Sequence, residues 1–333
     1  MTKIEKPKKE QSDFGSTAKS FDKPFVSVIV NCFNGEQHLK EALNSIFSQT
    51  YQNWELIFWD NQSTDRSASI VQDFDDNRVT YYYAEQHTTL GMARNLAFAQ
   101  SIGKWVTFLD CDDVWVPSRL EKLVAMIEFN GPDLGMLYSR CEYFFDRNSY
   151  QGSSTRLGFI FPKVLMQQYE RQLSELYSGN FIPFASTLYL SSALREIGGV
   201  PDYKFCPDYY INLAIAQRYK ISAVDATLCK YRIHANSMSA SDSRTGFEET
   251  IDIVNSLVPA TIRQKVIMPH ATRYGLHLIK NKQFHDCFVL LKKESFFNFI
   301  FGICELVRFV IVHRGIKQFF MFKMKKCIKS LGR

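Results

Sequence analysis

Three carboxylates follow a short apolar run near the end of the first third of the chain. The run spans residues 106–109, and Asp110, Asp112 and Asp113 come directly after it. If the chain stays extended, strand alternation points Asp110 and Asp112 to the same side. Carboxylates held close together repel each other, and a hard divalent cation with oxygen ligands relieves this repulsion. The spacing therefore indicates a site for a hard divalent cation at the end of a buried strand, and a loop in which one Asp caps the next helix is the alternative.

A further carboxylate, Asp208, stands at the start of a helix whose apolar face includes Ile211 and Ile215. A carboxylate of this kind can take the proton of an attacking hydroxyl. The structural alternative is a helix cap, because Asp at an N-cap contributes about 1 kcal/mol to the helix. Asp113 has the same alternative, as the cap of a helix that begins at Pro117. Neighbouring patterns must decide between these interpretations.

The elements that position these residues alternate between strand and helix patterns. Apolar, β-branched or aromatic runs typical of buried strands cover residues 24–30, 54–59, 79–83 and 106–109. Each of the first three is followed by an amphipathic helix, the first beginning at Glu36. The alternation predicts an α/β fold with a mostly parallel, doubly wound sheet. Ligands bind beyond the carboxyl ends of such strands, where Asn31, Asp60 and Asp110 lie.

The later part of the chain is less regular. Residues 134–145 continue the strand-like pattern, and residues 146–196 are expected to form a variable, loop-rich middle that contains Asn180. The helix of Asp208 follows, and residues 230–237, with His234, close this part. A lone histidine is more often structural than a ligand. Residues 258–293 predict two helices without visible chemistry.

The turns between these elements argue against two nucleotide-binding classes. A dinucleotide-binding oxidoreductase needs a GxGxxG turn after the first strand, and this turn contains only Gly35. No Walker-type glycine and lysine loop occurs anywhere in the chain. If the chain binds a nucleotide, it therefore does so without a glycine-rich phosphate loop.

The positive charge of the chain is concentrated in its last residues. The net charge is +6, and residues 306–333 contain eight Lys and Arg without any Asp or Glu, so residues 1–305 carry −2. A near-neutral body argues against nucleic-acid binding. The tail also has helical apolar spacing, which is typical of an amphipathic helix on an anionic membrane surface. A helical cap on the body and a homodimer contact are the alternatives.

The termini and the cysteines indicate the compartment. Residues 1–23 are polar, predict a disordered arm and do not resemble a signal peptide. The eight cysteines contain no CxxC pair, so free thiols in a reducing cytosol are expected and a zinc cluster is not. The apolar stretch 295–304 is too short to span a membrane.

Taken together, these segments resemble an inverting family-2 glycosyltransferase with the GT-A fold. The matching segments occur in that family's order and cover roughly residues 24–240: 25–34, 60–65, 91–95, 108–113, 198–199 with Asp208, and 231–237. The resemblance implies a nucleotide-binding half, 24–130, and an acceptor-binding half, 131–240. Residues 241–333 would form a C-terminal helical region that ends in the basic tail.

The resemblance also implies roles for individual residues. The nucleotide sugar would be held by Asn31, Phe33, Asp60, Asp65, Arg94 and Asp110. Asp60 would accept a hydrogen bond from the base, which suits uracil, and Asp110 would contact the ribose or a metal-bound water. Asp112 would bind Mn²⁺ or Mg²⁺, with His234 completing the metal or phosphate shell.

On the acceptor side, Asp208 resembles the general base of the family, which inverts the anomeric centre by single displacement. Many relatives have Glu-Asp here, whereas this chain has Pro207-Asp208, so the orientation of the base is open. Asp113 and Asn180 are further candidates near the acceptor.

The implied function is transfer of one sugar from a UDP-sugar to a glycan acceptor, either a surface polysaccharide or its lipid-linked precursor. The enzyme would be cytoplasmic and peripheral on the inner face of the cell membrane. A non-catalytic sensor or scaffold that binds a sugar nucleotide is the alternative from another class. A processive synthase fits less well, because the chain lacks transmembrane helices and a QxxRW-type motif.

Overall fold

The computed structural model describes residues 2–3, 25–145, 169–234, 243–280 and 286 of the chain. The tail 306–333, the apolar stretch 295–304 and most of the N-terminal arm lie outside the described residues. Within the arm, Thr2–Lys3 form a two-residue strand, β1, that pairs antiparallel with Tyr82 and Tyr83. Among the described helices, none has the length and apolar character needed to cross a membrane.

The alternation of strands and helices in the first part of the chain is confirmed. The elements are β2 (Val26–Cys32), α1 (Leu39–Phe47), β3 (Trp54–Asp60), α2 (Ser67–Gln72), β4 (Val79–Tyr83), α3 (Leu90–Ala99) and β5 (Trp105–Phe108). Helix α1 begins at Leu39 rather than at Glu36. Residues 36–38 form a turn instead, and the Glu36 backbone N–H donates to the Asp65 carboxylate at 3.0 Å.

The second part contains more regular structure than its sequence predicts. It comprises β6 (Val114–Trp115), α4 (Arg119–Asn130), β7 (Leu134–Phe145), α5 (Tyr169–Ser178), β8 (Thr187–Leu190), α6 (Ser191–Glu196), α7 (Pro207–Ala216), β9 (Lys220–Ile233), α8 (Ser243–Leu257) and α9 (Ala260–Lys280). The expectation of a loop-rich middle is therefore wrong from residue 169 onward. Strand β8 is only four residues long, and it inserts between β5 and β7.

The described strands form one sheet in the order β1-β4-β3-β2-β5-β8-β7-β9-β6. Strands β4, β3, β2 and β5 are parallel, as predicted for a doubly wound α/β fold. Strand β8 runs antiparallel to both of its neighbours, while the long strands β7 and β9 pair in parallel. The carboxyl ends of the four parallel strands meet along one edge.

The core lies on both faces of this sheet because the central strands are buried on both sides. In β2, Val28 and Val30 join one apolar cluster and Ile29 joins the other, and all three are fully buried. Burying an aliphatic side chain of this size stabilises the fold by roughly 1.5–3 kcal/mol. A run without polar alternation is thus the expected sequence of a central parallel strand.

Candidate active site

The candidate site lies along the edge where the parallel strands end. Strand register pairs Cys32 with Asp60 and Ile29 with Phe108. Asn31 and Asp60 therefore sit at the ends of neighbouring strands, and the turn that carries Asp110 follows the next strand. The side chain of Asn31 is 8% exposed, and its Nδ2 has no hydrogen-bond partner among the described residues.

Asp60 is fully buried, and protein groups already contact both of its carboxylate oxygens. Oδ1 accepts from the Ser63 backbone N–H at 2.6 Å, and Oδ2 accepts from the Tyr81 hydroxyl at 2.7 Å. Burial and the neighbouring Asp60 charge raise the pKa of Tyr81, so that hydroxyl stays a donor. Asp60 therefore shapes the turn after β3. Because its side chain is fully buried, it would contact a nucleobase only if the residues that cover it move.

Two loops after β2 and β3 lock together in front of this edge. Asn34 Oδ1 accepts from the Thr64 N–H at 2.8 Å, and Asn34 itself has a φ of 53°. Asp65 joins the same loops, because its two oxygens accept from the backbone N–H groups of Glu36 and Ser67. The nearby Phe33 ring is 51% exposed. Asp65 thus braces the loops that present Phe33.

Arg94 of α3 is the buried cation of the site. Its side chain is 6% exposed, its Nη2 donates to Asp110 Oδ1 at 2.6 Å, and its Cζ lies 4.4 Å from the centre of the Phe184 ring. Helix α3 is capped by Thr89, whose side chain accepts from the Met92 N–H. The structure therefore brings Arg94 and Asp110 together, as the resemblance implies for two residues at one nucleotide.

Asp112 contacts His234 across 122 positions of sequence, with 2.9 Å between Oδ2 and Nε2. Burial and the charge of Asp110 raise the pKa of Asp112, and His234 opposes this shift. The His38 ring lies 5.4 Å from the His234 ring, between centroids. His234 therefore lies at the Asp-x-Asp turn. This position suits a metal ligand, and it equally suits a residue that only holds Asp112 in place.

These residues fit a divalent cation in part. A carboxylate and an imidazole are suitable donors for Mn²⁺, and Mg²⁺ or Mn²⁺ commonly completes its shell with substrate phosphates and waters. Among the described residues, no group of three or more His, Cys, Asp or Glu side chains is arranged to hold a metal. Asp112 and His234 therefore suit a cation that is shared with a bound diphosphate, and do not form a complete protein site.

Asp113 does not cap the following helix, so that sequence alternative is wrong. Ser118 is the N-cap residue of α4, and the buried Asp113 Oδ1 accepts from the Arg232 backbone N–H at 2.9 Å. Arg232 Nε also donates to the Asp112 carbonyl at 2.7 Å. Burial and the charges of Asp112 and Asp110 raise the pKa of Asp113 well above its usual value. Asp113 joins β9 to the Asp-x-Asp turn and is too buried to meet an acceptor.

Asp208 lies at the second position of α7, so it is not the cap of that helix either. Cys206 is the N-cap residue and Pro207 opens the helix. Asp208 Oδ1 accepts from the Tyr209 N–H at 2.9 Å, and Oδ2 accepts from Asn180 Nδ2 at 2.7 Å. Burial raises the pKa of Asp208 to about 6, while the Tyr209 N–H, Arg94 and Asn180 hold it down. A carboxylate with this pKa suits proton abstraction near neutral pH.

The sequence analysis missed two residues that hold this region together. Glu249 of α8 accepts from the backbone N–H groups of Lys204, Phe205 and Cys206, at 2.7, 2.8 and 3.0 Å. It thereby binds the loop that leads into the helix of Asp208, and its 43-residue separation left no local signal. Asn212, four residues after Asp208 on α7, contacts Asn180 and could have been found from that helical spacing.

Comparisons with known proteins identify the family of the chain. The sequence model described as Glycosyl transferase family 2 matches residues 27–198. The Escherichia coli protein named UDP-Glc:alpha-D-GlcNAc-diphosphoundecaprenol beta-1,3-glucosyltransferase WfgD is 29% identical over 66% of this chain and 81% of its own length. The Uncharacterized glycosyltransferase MJ1057 of Methanocaldococcus jannaschii is 28% identical over 64% of this chain and 72% of its own.

Two solved structures share the fold. S. aureus TarS 1-349 in complex with UDP-GlcNAc superposes with a TM-score of 0.59 at 18% identity, covering 87% of this chain and 81% of TarS. Mannosyltransferase PcManGT from Pyrobaculum calidifontis, in complex with GDP-Man and Mn²⁺, gives a TM-score of 0.53 at 16% identity, covering 87% and 88%. At these identities the likeness establishes the fold alone, which is the GT-A architecture.

Proposed function

The chain belongs to glycosyl transferase family 2, and we propose that it moves one sugar from a UDP-sugar to a hydroxyl of a glycan acceptor with inversion of the anomeric carbon. The observation that carries this proposal is Asp208, a carboxylate whose pKa burial raises to about 6 and on which the positive charge of Arg94, the partner of Asp110, also acts. A general base is most effective when its pKa lies near the working pH. In this proposal, Arg94 and Asp110 bind the donor nucleotide and Asp208 activates the acceptor hydroxyl of the same transfer reaction.

In the proposed reaction, Asp208 takes the proton of the acceptor hydroxyl as that oxygen attacks the anomeric carbon. The new carbon–oxygen bond forms while the bond to the diphosphate breaks, and UDP leaves with the electron pair. Arg94 keeps a fixed positive charge beside the nucleotide-side carboxylate. A divalent cation at Asp112 and His234 would offset the negative charge that develops on the departing diphosphate.

UDP is proposed as the nucleotide because WfgD is named for UDP-Glc and TarS has been solved with UDP and UDP-GlcNAc. PcManGT, with GDP-Man, makes GDP the main competitor. The test is thermal stability with UDP, GDP, CMP and NAD, each with and without Mn²⁺. A ligand at ~100 times its dissociation constant adds about 2.7 kcal/mol to the free energy of unfolding.

A UDP shift that needs metal supports the proposal, and panels of UDP-sugars then identify the donor. A larger shift with GDP or CMP would leave the proposed transfer reaction in place but would refute the assignment of uracil as the nucleobase that Asp60 recognises. If no nucleotide shifts the melting temperature, the donor site is not as proposed. UDP binding without any transfer or hydrolysis of UDP-sugars would favour the non-catalytic sensor.

For the acceptor, we propose a glycan on a lipid diphosphate, presented at the inner face of a bacterial cell membrane. The name of WfgD describes such an acceptor. The eight basic residues of the tail 306–333 supply attraction to anionic lipid. Deletion of residues 306–333 should release the protein from vesicles that contain anionic phospholipid in a flotation assay. Flotation of the truncated protein would refute membrane binding by the tail.

A further inference from the structure

The carboxylate of Asp208 is held by a side-chain amide with one allowed orientation. Asn180 Nδ2 donates to Asp208 Oδ2 at 2.7 Å. Asn180 Oδ1 accepts from the Ile182 backbone N–H at 3.1 Å and from Asn212 Nδ2 at 3.2 Å. Two donors converge on the amide oxygen, so a flipped amide would set N–H groups against N–H groups. The NH₂ group of Asn180 therefore faces the carboxylate.

Asn212 fixes Asn180 from the interior of the protein. It is fully buried on α7, one helical turn after Asp208. Its Oδ1 accepts from the Tyr189 hydroxyl at 2.9 Å, and its Nδ2 also donates to the Ile182 carbonyl at 3.0 Å. Every polar atom of the Asn212 side chain thus has a partner. A buried amide costs free energy unless its partners are all present, so this satisfied network specifies one arrangement.

We propose that Asn212 and Asn180 are positioning residues that together fix the orientation of the Asp208 carboxylate toward the acceptor. The proposal rests on the proposed function, in which Asp208 is the base. Family relatives with Glu-Asp have a second carboxylate beside the base, and in this chain the place is taken by Pro207. Instead of a second carboxylate, the amide of Asn180 contacts Asp208, and Asn212 of the same helix contacts Asn180.

The direction of the amide also favours the charged form of the base. Asn180 can only donate through Nδ2, and a donor stabilises a carboxylate more than a carboxylic acid. Besides Asn180 and the Tyr209 N–H, the side chains that interact electrostatically with Asp208 among the described residues are Arg94 of α3, Tyr189 of β8 and Cys206. Arg94 lowers the pKa of Asp208, and burial keeps Tyr189 and Cys206 protonated.

The first experiment measures the ionisation of Asp208 directly and needs no acceptor. The carboxyl carbon of ¹³C-labelled Asp is followed by NMR across the pH range, with Asp208→Asn identifying the signal. Asn180→Ala should move the midpoint up by about one pH unit, as expected when one charge-assisted hydrogen bond is lost. Asn212→Leu should move it in the same direction by less, because Asn180 remains but loses its anchor.

The control is Gln172→Leu, which removes another buried side-chain amide whose oxygen, like that of Asn212, accepts from a tyrosine hydroxyl. Gln172 Oε1 accepts from the Tyr138 hydroxyl at 3.0 Å, and neither residue contacts Asp208 in the described network. This variant should lower the melting temperature and leave the Asp208 midpoint unchanged. A merely structural Asn212 would behave in the same way.

The second readout is UDP release from UDP-glucose or UDP-GlcNAc in the variants. Asn212→Leu should lower the maximal rate about tenfold and leave the KM for the UDP-sugar unchanged. The acid limb of the pH–rate profile of this variant should move to higher pH. An unchanged midpoint and an unchanged pH profile in Asn212→Leu would overturn the positioning role, even if Asp208→Asn is inactive. If Asp208→Asn itself releases UDP at the wild-type rate, the proposed function fails instead.

Discussion

Arg94 and Asp110 form an ion pair of 2.6 Å in which the guanidinium is almost completely buried. The same guanidinium lowers the pKa of Asp208, so one cation acts on Asp110 and on the candidate base. The Phe184 ring lies against the guanidinium and restricts its position. Ionisation of Asp208 is therefore coupled to the charge of Arg94.

This coupling predicts the effect of Arg94→Gln. Loss of the positive charge should raise the pKa of Asp208, so the acid limb of the pH–rate profile should move to higher pH. The variant should also be less stable, because Asp110 loses its charged partner. UDP release at several pH values and a urea melt measure the two effects. Arg94→Lys keeps the charge and should retain the acid limb; a wild-type limb in Arg94→Gln would contradict the coupling.

Replacement of the base should separate binding from chemistry. We expect Asp208→Asn to lower the transfer rate by about 10²–10⁴-fold, the usual contribution of general acid–base catalysis. Affinity for UDP, measured by calorimetry, should stay near the wild-type value. Asp133→Asn, at an exposed position, is the matched control and should be fully active. Transfer at the wild-type rate in Asp208→Asn would show that Asp208 is only structural.

The transfer rate should depend on pH through the same carboxylate. Asp208 must be ionised to accept a proton, so the rate should rise through about pH 6 and fall about tenfold per unit below it. Because the folded-state pKa is raised above that of the unfolded chain, ionisation destabilises the fold. Wild-type stability should therefore fall relative to Asp208→Asn as pH rises from about 4 to about 6. Urea melts of both proteins at matched pH test the sign, and a constant difference would refute the shift.

The Asp112–His234 contact predicts where metal dependence resides. Asp112→Ala and His234→Ala should each remove the part of the UDP-induced thermal shift that requires Mn²⁺, since both supply donors suited to that ion. The metal-independent part should remain in both variants. Asp73→Ala, on the exposed end of α2, serves as the control. Full Mn²⁺ dependence in both site variants would place the cation elsewhere.

The Glu249 contacts predict a stability effect from a residue outside the family match. Glu249→Ala leaves three backbone N–H groups before α7 without their carboxylate partner. We expect a loss of about 1–3 kcal/mol in the free energy of unfolding from urea melts. Glu248→Ala removes the neighbouring carboxylate, which pairs only with the exposed Arg244 in the described contacts, and should change stability by less than about 0.5 kcal/mol. Equal effects of the two variants would refute the bracing role.

The sequence by itself determined the α/β class and the edge at which the site lies. Periodicity of apolar residues is a local property, so the strands ending at Cys32, Asp60 and Phe108 were predictable to within a few residues. Parallel strands then align their carboxyl ends without further information. The resemblance of the ordered motifs supplied the family, and the match to residues 27–198 agrees with it.

Only the tertiary structure decided which neighbours each carboxylate has. Asp113 follows a strand and precedes a helix, so capping was a reasonable expectation, but β9 returns Arg232 to it from 119 positions away. In the same way, Asn180 follows α5 and meets Asp208 because α7 packs against α5. Hydrogen bonds of this kind depend on how distant elements pack, which local sequence patterns do not encode. For that reason Asp208 and Asn180 were visible in the sequence as separate candidates, whereas the hydrogen bonds that join them to each other and to Asn212 were not.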